Sequence, residues 1–114
     1  MRMRWVILAG VATLTWLAPG DDENVGRASV YCMRYSASGP ITEENWANAQ
    51  TVFGMPLPDS AGVKQSVKVQ GLVVGQVYWF AIRAADEAWN WSGLSNVVRK
   101  RAIPKHSRDT KVEL

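Results

Sequence analysis

The chain has 114 residues, of which 47% are hydrophobic and 20% charged. That length and apolar fraction suit one compact domain and exclude two full-sized ones. Six Trp, three Tyr and two Phe carry more aromatic surface than a chain without a core would hold, which excludes disorder throughout.

The formal charge of +3 is unevenly spread. Residues 1–98 hold seven basic side chains against eight acidic ones. Residues 99–114 hold six, Arg99, Lys100, Arg101, Lys105, Arg108 and Lys111, against Asp109 and Glu113. This basic end is interrupted by Pro104 and by acids and has no aromatic residue for base stacking, so it reads as a solvated tail or linker rather than a nucleic-acid arm. No nucleic-acid partner is expected.

Cys32 is the single cysteine, which rules out an internal disulfide and a cysteine-based zinc site within one chain. His106, the single histidine, falls in the tail, away from any Ser-His-Asp or Cys-His arrangement in a folded pocket. No glycine-rich phosphate loop is present. The expectation is a domain without catalytic residues, metal or cofactor.

In chain order, the first segment has two readings. Met1-Arg-Met-Arg4 followed by the apolar run Trp5–Ala18 has the shape of a secretory signal peptide, and it is too short to span a membrane. Yet Thr13 and Thr15 alternate with Ala12, Leu14 and Trp16, and Ala18-Pro19-Gly20 is a poor cleavage site. Strands at 5–8 and 11–17, with a turn near Gly10, explain the same residues. Pro19–Gly26 is an acidic loop. Ala28–Ser36 alternates, placing Tyr31, Met33 and Tyr35 on one face. After the turn at Ser38-Gly39-Pro40, Thr42–Trp46 suits a short helical turn capped by Thr42. Gln50–Phe53 is a short strand, and Gly54–Gly62, with Pro56 and Pro58, is an edge crossing. Strands then follow at Gln65–Val69, Val77–Ala85 and Leu94–Arg99, with a turn at Gly71–Gly75 and a loop at Asp86–Gly93. In Val77–Ala85, Tyr78, Phe80, Ile82 and Ala84 share one side.

About seven short strands with turn signals at roughly ten-residue spacing predict an all-β, antiparallel β-sandwich. Four separated pieces resemble the fibronectin type III family, in the form common in secreted bacterial proteins. Thr13-Leu-Thr-Trp16-Leu-Ala-Pro-Gly20-Asp-Asp resembles its strand B and the loop that follows. Tyr31-Cys-Met-Arg-Tyr35 resembles strand C. Gly71-Leu72-Val-Val-Gly75-Gln-Val-Tyr78-Trp-Phe80-Ala-Ile82 resembles the corner that leads into strand F, and Asp86–Asn96 resembles the FG loop. The likeness spans about residues 5–99. It implies an immunoglobulin-like sandwich over residues 1–99, with 100–114 as basic tail or linker.

On that reading Trp16, Tyr31, Leu72, Tyr78, Phe80 and Ile82 are structural core, with Trp16 and Tyr78 on opposite sheets. Trp16→Ala is expected to cost about 3–5 kcal/mol, the range for removing a large core aromatic. The resemblance implies a non-catalytic, monomeric module of an extracellular or cell-surface protein, a spacer or interaction domain whose partners are neighbouring domains, other proteins or polysaccharide. The alternative is the accessory domain of a secreted hydrolase whose catalytic domain lies elsewhere.

Three features are candidates for function. Trp89, Asn90 and Trp91 form a possible aromatic platform for sugar or peptide, at a position where the family more often has Gly in place of Trp89. The competing reading packs Trp91 over the sandwich end and leaves Trp89 alone exposed. Asn90-Trp91-Ser92 is also an N-glycosylation sequon, relevant to a eukaryotic secretory route. The acidic run Asp21-Asp22-Glu23-Asn24 offers oxygen ligands but lacks the spacing of a calcium loop, and reads as a solvated turn. No cleft that would hold paired carboxylates is evident, so Asp86 and Glu87 read as loop residues.

Overall fold

Alternation of Ala12, Leu14 and Trp16 with Thr13 and Thr15 lets a strand bury one face and wet the other. A computed structural model, which describes residues 10–20 and 28–105, places this segment in strand β1, Gly10–Leu17. The remaining strands are β2 (Val30–Ser36), β3 (Gln50–Thr51), β4 (Lys64–Leu72), β5 (Val77–Ala85), β6 (Val98–Arg101) and β7 (Ile103–Pro104), with one 3₁₀ turn at Trp46–Asn48. They form two antiparallel sheets, ordered β4-β1-β7 and β3-β2-β5-β6. The fold is the expected all-β sandwich. The strand at 5–8, the run Asp21–Asn24 and the tail from His106 lie outside the described residues.

The core lies between the sheets. Leu72 and Phe80 are each 1% exposed, and burying a side chain of this size stabilises by roughly 1.5–3 kcal/mol. Ala12, Leu14 and Val69 close on them from the three-stranded sheet, and Met33 and Tyr78 from the other. Trp16 and Tyr78 stand on opposite sheets, but each takes its aromatic partner from β2. Trp16 meets Tyr31 edge-on at 5.3 Å, and Tyr78 meets Tyr35 edge-on at 5.6 Å. Trp16 and Ile82 are half-buried beside the cluster. Among the described residues the buried indole N–H of Trp16 has no partner within hydrogen-bond geometry, so Trp16→Ala belongs near the lower end of its range, about 3 kcal/mol.

Glycine is required at the first residue of β1. A Cβ on Gly10 would stand 2.8 Å from the Leu72 carbonyl oxygen, closer than van der Waals contact allows. The register of β1 on β4 also shifts between Gly10 and Ala12, a bulge that lets the strand accept Leu72 on one side and Pro104 of β7 on the other.

Several boundaries differ from the sequence expectation. β4 runs on through Gly71 and Leu72 because Leu72 pairs with Gly10, and the turn shrinks to Val74–Gly75. β3 stops at Thr51, since Phe53 turns outward and is 88% exposed. Thr42 N–H donates to Asn45 Oδ1 and Asn45 N–H to Thr42 Oγ1, but these bonds close a turn ahead of the 3₁₀ turn Trp46–Asn48, whose N-cap is Asn45 with no side-chain cap bond rather than Thr42.

The strand expected over Leu94–Arg99 starts at Val98, as β6, because serine side chains stand in for strand backbone. Ser92 N–H donates to the Ala84 carbonyl while Ser92 Oγ accepts Ala84 N–H; Ser95 does the same for Ile82. With both groups of these β5 residues satisfied, residues 92–97 have no need of ladder geometry. Beyond Arg101 the chain crosses to the other sheet through Ala102, 1% exposed and held by Gln76 O and Gly75 N–H. Arg99, Lys100 and Arg101 therefore lie on β6.

The β4–β5 corner is closed by Tyr78, whose hydroxyl accepts the Val73 N–H at 3.0 Å. Tyr78→Phe keeps the ring and strands that donor. It is expected to cost about 1–3 kcal/mol without change of fold, as read by denaturant unfolding together with far-UV circular dichroism.

Candidate functional site

The connection Asp86–Gly93 leaves β5 beside the start of β2, since Ala85 pairs with Val30. Its shape comes from one carboxylate. Asp86 Oδ1 accepts the N–H groups of Ala88 and Asn90, and Oδ2 accepts the side-chain amide of Asn90. The Asp86 main chain adds two bonds, its carbonyl taking Trp89 N–H and its N–H donating to the Asn90 carbonyl. Hydrogen bonds from the Asn90 side chain and then its backbone, with a further one from Ala88, hold the Asp86 carboxyl below its ordinary 3.8.

This turn forces Trp89 to φ +63°, a left-handed conformation that costs a non-glycine residue about 1–2 kcal/mol. The strain places an indole in solvent. Trp89 is 69% and Trp91 44% exposed, with ring centroids 6.4 Å apart and planes inclined at 39°. Both indoles are thus displayed, against the reading in which Trp91 is packed away. Trp91 is tethered by a bridge to Ala85 and by the Ser92 bonds that follow it. The Asn90 amide is engaged in shaping the loop, and the two rings remain as the contact surface.

Sequence reasoning found no cleft, but the structure has one. A cavity of about 380 Å³ opens between β1 and residues 92–98, lined chiefly by Trp16, Tyr31, Met33, Phe80 and Ile82. Its volume falls within the range of small-ligand sites. Among the described residues its lining is mainly apolar and aromatic, so it offers apolar contact. Such a gap between facing sheets has no sequence signature, because it depends on how far apart the edges sit.

A second arrangement missed at the sequence level lies on the outer face of the four-stranded sheet. Arg34 and Arg83 both pack on the Trp46 ring, with guanidinium carbons 5.0 and 4.7 Å from its centroid. Arg34 Nη1 donates to the Trp46 carbonyl, and Arg83 pairs with Glu43, whose other oxygen accepts Leu94 N–H. The stack pins residues 43–46 on the sheet and ties them to the segment after Trp91. The only hint in the sequence is the place of Arg34 and Arg83 on the outward positions of β2 and β5.

The core candidates occupy distinct places. Leu72 and Phe80 are at the centre, Tyr31 and Tyr78 are buried at 6% exposure each, and Tyr31 donates to Gln65 Oε1 at 2.5 Å. Burial pushes the Tyr31 hydroxyl above its usual value. Cys32 is half-buried. Among the described residues no helix is long and apolar enough to cross a membrane. No protein-family model matches this chain, and no curated protein matches it.

Two outcomes follow from the loop geometry. Trp89→Gly relieves the left-handed strain of about 1–2 kcal/mol against about 0.5–1 kcal/mol of added chain entropy, so its melting temperature should equal or slightly exceed that of the parent. Because the folded Asp86 carboxyl is depressed, its bonds contribute above the ordinary value of 3.8 and are lost as pH falls through the lower folded value. The amide shifts of Ala88 and Asn90 should therefore titrate with a midpoint below 3.8, and Asp86→Asn should abolish that titration.

Proposed function

We propose that this chain is a non-catalytic, fibronectin type III-like module of a secreted or cell-surface protein, serving interaction more than spacing. The observation that carries the reading is the Val73 N–H bond to the Tyr78 hydroxyl at 3.0 Å. A tyrosine near the start of a strand, bonded back to backbone just upstream at the corner between sheets, is a hallmark of immunoglobulin-like sandwiches. Further support comes from where the four family-like pieces fall: β1, β2, the β4–β5 corner and the loop after β5.

Interaction is favoured by the display of Trp89 and Trp91, 69% and 44% exposed, past the end of β5 and away from the paired Gly10 and Pro104. Rigid strands then aim loop residues at a partner.

The flanking reading frame tests this. A secretion signal with further modules of this kind is the expected finding. An adjoining hydrolase catalytic domain would reassign the chain to the accessory role. A frame with neither, in a protein that remains in the cytoplasm, would overturn the reading.

A further inference from the structure

The Trp89–Trp91 loop combines exposed aromatic faces with two carboxylates, Asp86 and Glu87. Residues 86–93 carry Asp86 and Glu87 and no basic residue. The nearest cation on the adjoining strand, Arg83, is already paired with Glu43. The basic residues of β6 sit at the opposite end, with Arg101 facing Val77 at the start of β5. Nine residues of β5 at about 3.3 Å each separate the two charged regions, so the chain does not neutralise this loop with its own basic strand.

From this we infer that the loop is a docking site for a cationic, extended segment of a protein partner, whose Arg or Lys side chains lie against the indole faces of Trp89 and Trp91. A cation over an indole is attracted by the ring quadrupole, and flanking carboxylates add to that attraction. Ring geometry and charge together favour a cation over a neutral sugar. With planes inclined at 39° and centroids 6.4 Å apart, the indoles are not coplanar, and a single pyranose cannot lie flat on both. The loop is held rigid before binding by the five hydrogen bonds around Asp86, which lowers the ordering cost of recognition. The strained φ at Trp89 is compatible with selection for that exposed ring. This inference goes beyond the module reading and does not depend on it.

The test is a fluorescence titration of the full chain with a synthetic octapeptide of the sequence Val-Arg-Lys-Arg-Ala-Ile-Pro-Lys, taken from residues 98–105 of the chain itself. Saturable quenching with a Kd on the order of 0.1–1 mM is expected, weakened at least about fivefold on raising ionic strength from about 0.05 to about 0.5 M. Trp89→Gly, which should fold at least as stably, is expected to abolish the response, and Glu87→Gln to weaken it about twofold to threefold. Absence of saturable quenching overturns the inference, as does an unchanged response in Trp89→Gly. Equal quenching by the same peptide with Gln in place of each Arg and Lys, or by a cello-oligosaccharide, also overturns it and assigns the loop to neutral ligands.

Discussion

Two sheets can face each other across one apolar layer only if the chain reverses between them without leaving a buried polar group unsatisfied. Here that requirement is met at the β4–β5 corner, where Leu72 and Tyr78 both enter the core and the Tyr78 hydroxyl takes the Val73 N–H. The corner sets where β5 begins, and β5 in turn sets the rest. It is the strand through which β2 and β6 are joined, it supplies Phe80 to the centre, and its last residue launches the Trp89 loop.

The two halves of β5 are satisfied differently. Near Val77 its partner is β6, a true strand. Near Ala84 its free edge is met by Ser92 and Ser95, which use backbone and hydroxyl together. That substitution releases the preceding residues from ladder geometry and allows a loop shaped by the Asp86 carboxylate. The Trp46 stack reinforces the arrangement from the outer face, because Glu43 bonds both Arg83 and the Leu94 N–H. The rigidity of an exposed aromatic pair is thus distributed over hydrogen bonds several residues away from the rings. A docking surface built this way keeps its shape without burying its contact groups.

Edge protection follows the same division. β4 carries Lys64 and Lys68, and β6 carries Arg99, Lys100 and Arg101, charges that discourage edge-to-edge pairing of sheets. Asp86, Glu87 and the two exposed indoles follow the far end of β5, away from Arg101.

Period-two patterning in β1, β2 and β5 is legible in the sequence because alternate side chains of any strand point to opposite faces, whatever the strand packs against. The corner residues Leu72 and Tyr78 and the loop position of Trp89 are local in the chain and were legible for that reason. The late start of β6, the crossing of Ile103–Pro104 to the other sheet, the cavity beside Trp16 and the Arg34–Trp46–Arg83 stack each join residues distant in sequence. Nothing in their local composition marks them. A basic tail and a basic edge strand have the same composition, and only pairing with Val77 and Gly10 distinguishes them. Likewise the sequence identified Trp89 and Trp91 as neighbours in a loop, while their common exposure, inclination and strained backbone depend on the hydrogen bonds of Asp86, a geometry that exists only once β5 is held in its sheet.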